Sequence, residues 1–239
     1  MLTKWYIAAW ADGRNVVDVL DVFGGEGYPS SIENATVVSY VYDPEVLGHD
    51  LETAYGEIEN RAAPVFARLR TGIVSMTLSD MTAVVEFIDM HLHRGRYADR
   101  VGDRQPAVLA MTDNTVQDTE LNYADLLSLA HLLPDTLRLT ALGLDHRVWK
   151  IYPIEGLWTG DGAVILYNPH GGKEPTSIVF PLSPTQLLVI GDDLPEDIDM
   201  NRLIGLRSRR WVVGQRGSLP IAAIRRIKAQ RLGEQSPGQ

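Results

Sequence analysis

The chain predicts an α+β fold: an N-terminal β-hairpin, a helical middle, an antiparallel β-sheet around residues 148–190 and C-terminal helices. Three observations predict it. Aromatic and β-branched residues flank Asp12-Gly13 near the start, apolar residues recur at three- and four-residue spacing from Asp50 onward, and from Arg147 the period falls to two. Strands at both ends of a helical middle argue against regular βαβ alternation. With no internal repeat and no interior linker, the 239 residues are expected to form a single α+β domain, with a basic helical segment at 202–232.

In chain order, Lys4 to Trp10 and Asn15 to Phe23 read as two strands that pair across the Asp12-Gly13 turn. Gly24 to Ser31 contains Gly, Pro and Ser in the manner of a loop, and Thr36 to Tyr42 reads as a strand. Leu51, Ala54, Tyr55, Ile58, Ala62, Val65, Phe66 and Leu69 share one face of a helix that Pro64 should kink and Thr71-Gly72 should end. A second helix starts near Ser79, with Thr77 and Asp80 spaced as a capping box, and stops at Gly95, placing Arg94 in its last turn. Helical patterns follow from about Glu120 to Leu133 and from Asp135 to Leu142. Short strands are then expected at Val148 to Pro153, Leu157 to Thr159, Ala163 to Tyr167, Ser177 to Phe180 and Gln186 to Ile190. Helix returns at Asp197 to Val213 and Leu219 to Leu232, and the last residues read as a frayed end.

Composition narrows the function classes. There is no cysteine, which fits a reducing, cytoplasmic compartment and removes thiol nucleophiles, thiolate zinc sites and iron–sulfur clusters. No run of about 18 uncharged apolar residues occurs, so no membrane partner is expected. The net charge of −9 is divided unevenly: nine Lys and Arg residues after Asn201 face one acid, Glu234, leaving −17 before and +8 after that point. Arg225, Arg226, Lys228 and Arg231 in this tail are candidate nucleic-acid contacts, because clustered cations release condensed counterions from phosphate. The simpler expectation is that the tail stays solvated or lies on the acidic body, which itself repels phosphate.

Most catalytic motifs are missing. Gly171-Gly172-Lys173 is followed by Glu174 where a phosphate loop has Ser or Thr, and it reads as a turn. Gly24-Gly25-Glu26-Gly27 lacks the dinucleotide-binding order, and there is no G-x-S-x-G elbow. His91 and His93 on a helix point about 200° apart and suit a packed face better than a metal. Asp192, Asp193, Asp197 and Asp199 form an acidic strand-to-helix loop without recognisable ligand spacing, in which Asp197 should favour the following helix N-terminus. No metal or cofactor is expected, and neither Asp145-His146 nor Ser218 has a third partner for a triad.

The residues do carry a resemblance. Leu2 to Trp10 is similar to the second half of the His-His-x-Val-Pro-x-x-Tyr-Leu-x-x-Phe element that opens a strand in the bacterial and phage family called domain of unknown function 4238. Tyr42 with the helix carrying Leu51-Glu52, Glu59 and Leu69 resembles its Tyr, Leu-Glu, Glu pattern. Phe87 to Arg94 resembles its Phe, Gln, Arg helix, with His91 at the Gln. Trp158 to Val164 resembles its Thr-Ser-Asp-Asn-Pro-Val motif, Phe180 to Pro184 matches its Phe-Pro-Leu-Ser-Pro motif, and Asn201 falls where the family has an Asn. The departures are the family's His pair, which would lie before Met1, Thr3 in place of Pro, and Gly160 and Gly162 beside the aspartate.

The resemblance implies a polar site of Glu59, Arg94 and Asp161, with Asn201 as a further ligand-binding candidate. Carboxylates around an arginine bind a ligand or lock helices to a sheet, and glycines beside Asp161 suit either a ligand or a tight hairpin. Three function classes stay open: a cytoplasmic, phage- or prophage-borne binding or host-interaction protein with an unknown protein or small-molecule partner; a nucleotide- or nucleic-acid-processing enzyme using Glu59, Arg94 and Asp161; and a nucleic-acid-binding module using the Arg-rich C-terminus.

Overall fold

A computed structural model describes residues 2–36, 45–47, 50–72, 75–111, 113–132, 138–171 and 174–220. Its helices and antiparallel sheets make an α+β fold, as the sequence predicts. The described helices are α1 (Lys4–Ile7), α2 (Leu51–Arg70), α3 (Leu78–Arg96), α4 (Tyr123–Leu132) and α5 (Met200–Arg207). One sheet has the order β2 (Glu26–Ser31), β1 (Val16–Asp21), β10 (Trp211–Gly214), β6 (Thr159–Gly160). A second has the order β5 (Trp149–Pro153), β9 (Gln186–Gly191), β8 (Ser177–Ser183), β7 (Ile165–Tyr167), and β3 (Gln105–Ala110) pairs with β4 (Val116–Leu121) as a hairpin.

The long helices follow their sequence signals. The Asp50 side chain caps α2 by accepting from the Thr53 amide at 3.0 Å, α2 runs unbroken through Pro64, and Gly72 beyond its end takes a φ of 84°. At α3 the Thr77 and Asp80 capping box is formed from both sides. Between these helices and the second sheet lies an aromatic cluster in which Tyr6 stacks on Phe180 at 5.0 Å and Phe66 meets Phe87 edge-on at 4.9 Å. Tyr6, Trp10, Phe66, Phe87 and Phe180 are fully buried; each contributes about 1.5–3 kcal/mol by leaving water.

Several local expectations are corrected. Lys4 to Trp10 is α1 followed by a 3₁₀ turn, because Tyr6, Ile7 and Trp10 are all buried and their spacing places them on one face of a helical turn rather than alternating across a sheet. The first hairpin therefore pairs β1 with β2, Val16 opposite Ser31 to Asp21 opposite Glu26. Gly24 to Ser31 had loop composition because β2 is an exposed edge strand, where Pro29 is tolerated. The β3–β4 hairpin has no counterpart among the expected elements; β4 continues to Leu121, so the helix expected from Glu120 starts at Tyr123. The described part of the helix expected at Asp135 to Leu142 is a 3₁₀ turn at Leu139–Ala141. Asp197 to Val213 divides into α5 and the buried strand β10, where Trp211, Val212 and Val213 fill a central position between β1 and β6. The strand expected at Leu157 to Thr159 is shifted to Thr159–Gly160 and joins that same sheet. Residues 37–42 of the expected Thr36 to Tyr42 strand lie outside the described residues, as do residues 221–232 of the last expected helix.

Candidate functional site

Glu59 on α2 and Arg94 near the end of α3 are brought together. Arg94 Nη1 lies 2.9 Å from Glu59 Oε1 and 3.4 Å from Thr3 Oγ1, and the Thr3 hydroxyl donates to the same Glu59 oxygen at 2.7 Å. The guanidinium also lies 5.5 Å from the centre of the Tyr55 ring. The Arg94 carbonyl accepts from Tyr123 Oη at 2.9 Å, which ties α4 to the end of α3. Arg94 is buried, whereas the Glu59 side chain keeps 26% of its surface in solvent. Thr3 thus shares Glu59 with Arg94.

Asp161 faces elsewhere. Its carboxylate accepts the three consecutive amides of Arg209 at 2.8 Å, Arg210 at 2.8 Å and Trp211 at 3.3 Å, in the stretch joining α5 to β10. Successive N–H groups converging in this way form an anion-binding concavity, here filled by the chain's own side chain. Burial pushes the Asp161 carboxyl up to about 6, the loss of water outweighing the three N–H bonds that favour its charge. The Asp161 amide donates to the Trp211 carbonyl at 3.1 Å, so both its main chain and its side chain are fastened at the start of β10.

The flanking glycines are explained by the same packing. A β-carbon on Gly160 would lie 2.4 Å from the Trp211 carbonyl oxygen, and one on Gly162 would lie 2.2 Å from the Arg207 carbonyl carbon. The close approach that these glycines permit is made by the protein's own backbone. On the other side, His91 Nε2 is 2.8 Å from the Gly160 carbonyl oxygen, and desolvation drives this buried imidazole down to about 3, so that it is neutral. His93, two residues on, turns to Asp89 at 3.5 Å, and Asp89 also pairs with Arg138 at 2.7 Å and accepts the Leu139 amide. The two histidines thus serve different contacts, as their helical spacing implies.

Asn201 is a two-sided clamp. Its Oδ1 accepts the Trp158 amide at 2.8 Å and its Nδ2 donates to the Gly156 carbonyl at 2.9 Å, which fixes α5 against the approach to β6. The Phe180 to Pro184 motif has a comparable role: the Pro181 carbonyl accepts from Tyr6 Oη at 2.8 Å and the Leu182 carbonyl accepts from Arg70 Nε at 2.7 Å. Tyr6 Oη also meets Thr159 Oγ1 at 2.7 Å, a contact between α1 and β6 that the sequence did not announce because 153 residues separate the partners. Within the acidic loop, Asp193 pairs with Lys150 and Tyr152, and it is Asp199, not Asp197, that caps α5 by accepting the Arg202 amide at 2.9 Å. The shift of the cap follows from the helix starting at Met200 rather than Asp197. Arg225, Arg226, Lys228 and Arg231 lie outside the described residues.

Fold and contacts together define an α+β protein in which Glu59 and Arg94 join two helices while Asp161 and Asn201 fasten the segment around β6 to α5 and the start of β10. The chain belongs to the family described as protein of unknown function (DUF4238), which it matches over residues 3–217. That match takes in Glu59, Arg94, Asp161 and Asn201 and ends before Arg225. No curated protein and no solved structure matches the chain. No helix among the described residues is long and apolar enough to cross a membrane.

Proposed function

We propose that the protein is a binding protein of a reducing, cytoplasmic compartment, in which Glu59, Arg94, Asp161 and Asn201 hold the frame and a partner is met elsewhere on the surface. The observation that carries this reading is the engagement of Asp161: its carboxylate already accepts three backbone amides, while metal binding or proton transfer would need those oxygens turned toward a ligand. Glu59 and Arg94 neutralise one another, and Asn201 satisfies two main-chain groups. A phage- or prophage-borne host-interaction role belongs to the same reading through the family resemblance, and the absence of cysteine supports the reducing compartment.

The test is a turnover assay on the full chain with nucleoside triphosphates, single-stranded RNA and duplex DNA, each with Mg²⁺ or Mn²⁺. The binding reading expects no turnover above that of a boiled sample. Turnover abolished by Glu59→Gln or Asp161→Asn, in variants shown by circular dichroism to be folded at the assay temperature, would return the enzyme reading. A salt-dependent DNA or RNA shift lost on Arg225→Ala with Arg226→Ala would return the nucleic-acid reading.

A further inference from the structure

Between the edge strand β7 and helix α5 runs a groove of about 430 Å³, lined by Leu166, Tyr167 and Asn168 on one side and Ile198, Arg202 and Arg207 on the other. Three features of it converge. First, β7 ends its sheet, pairing only with β8 among the described residues. The Tyr167 carbonyl accepts the Thr176 amide on the β8 side, so the alternation of an antiparallel ladder turns the Leu166 N–H and C=O outward. Second, the guanidinium groups of Arg202 and Arg207 have no ion pair or hydrogen bond among the described residues, whereas nine of the fifteen described arginines have one. Third, charge is ordered along the groove: Asp197 and Asp199 line it before α5 begins, and Arg202 and Arg207 line it further along the helix.

The direction of the strand gives this order a meaning. Gly162, just before β7, abuts the backbone of Arg207, so β7 leaves the basic end of the groove, and its far end, Asn168, shares the lining with Asp197. An antiparallel strand added to β7 would enter at the acidic end and finish at the basic end. From Asp199 to Arg207 the helix rises about 12 Å, and an extended peptide covers that in three to four residues at about 3.4 Å each.

We propose that this groove binds the C-terminal end of an extended peptide, which adds to β7 as an antiparallel strand, sets its terminal carboxylate between Arg202 and Arg207, and points a basic side chain three or four residues upstream toward Asp197. Main-chain hydrogen bonds to Leu166 give the register, the apolar wall of Ile198 and Leu203 receives an intervening side chain, and two guanidinium groups provide charge-assisted bonds to the carboxylate. The inference deepens the binding reading and rests on it.

The experiment is a titration of the isotope-labelled full chain, followed by amide NMR, with a pool of tetrapeptides Lys-X-X-X in which X is β-branched or aromatic. One pool carries a free C-terminal carboxylate and the other a C-terminal amide. The carboxylate pool is expected to shift the amides of Leu166, Asn168 and Arg207, and the amidated pool to bind at least about tenfold more weakly. Arg207→Gln should remove that difference while leaving the folded spectrum intact. The proposal is overturned if both pools bind alike, if the shifts fall away from β7 and α5, or if about 1 mM of the carboxylate pool produces none. Its failure leaves the binding reading standing, because that reading fails only through turnover or a nucleic-acid shift in the assays above.

Discussion

Gly95 and Asp161 touch through their backbones: a β-carbon on Gly95 would lie 1.8 Å from the Asp161 carbonyl oxygen. Helix α3 therefore ends on the Asp161 turn with no room for a side chain, and the turn in turn fastens the α5–β10 connection through its carboxylate. Residues far apart in the chain, from α3, the β6 turn and the start of β10, are joined at this one place.

Gly95→Ala tests that interlock. The added methyl meets main chain rather than a yielding side chain, so a loss of about 3 kcal/mol is expected in urea unfolding, at the upper end for overpacking. Gly56→Ala on α2 is the matched control, since nothing lies within 4 Å of its β-carbon; helix propensity there predicts a gain of about 0.5–1 kcal/mol.

The pH dependence of stability follows from two buried groups of opposite sign. Asp161 has its folded pKa raised from 3.8 to about 6, so its contribution is fully present below 3.8 and is lost as pH rises through 6. His91 is lowered from 6.5 to about 3, so its contribution is present above 6.5 and is lost as pH falls toward 3. Between about pH 6 and 4 the two oppose one another. Asp161→Asn removes one of them, and its unfolding free energy should fall more steeply than that of the native chain over that range, by up to about 1.4 kcal/mol per pH unit. Urea midpoints at a series of pH values measure the slope.

Asn201→Ala leaves the Trp158 amide and the Gly156 carbonyl without their partner and should cost about 1–3 kcal/mol. Asn201→Asp keeps the acceptor and loses the donor, so it should recover part of that loss. Equal costs for the two would show that only the Gly156 contact matters.

For Glu59 and Arg94, single alanine variants and the double variant form a cycle. Their 2.9 Å pairing predicts a coupling energy of about 0.5–3 kcal/mol, reduced by the solvent that reaches Glu59. Additive effects would mean that each residue acts alone.

The sequence signals were strongest where structure is local. Periodicity and capping chemistry located α2 and α3, and alternation located most of the second sheet, because those signals depend on neighbours a few residues away. Expectation and structure part at positions decided by distant packing: Tyr6 and Trp10 have strand-like composition yet form helical turns that set Tyr6 against Phe66, Phe87 and Phe180 and Trp10 against Tyr6. Glu59 and Arg94 meet in the fold, and both sit on helices whose faces can be read from the sequence. The partner of Asp161 cannot be read there, because it is a run of backbone amides at Arg209 to Trp211, and main-chain groups leave no mark in a sequence. Arg202 and Arg207 belong by sequence to the basic C-terminal stretch, whereas α5 sets them along a groove.

Hydrogen exchange at Arg209, Arg210 and Trp211 tests most directly whether Asp161 is an anchor of the fold. In the native chain these amides should exchange slowly, close to the rate set by global unfolding, and in Asp161→Asn they should exchange far faster than amides of β8 in the same molecule. Rapid exchange of the three amides in the native chain, or protection that survives Asp161→Asn unchanged, would contradict that role and leave the Asp161 carboxylate available to a ligand.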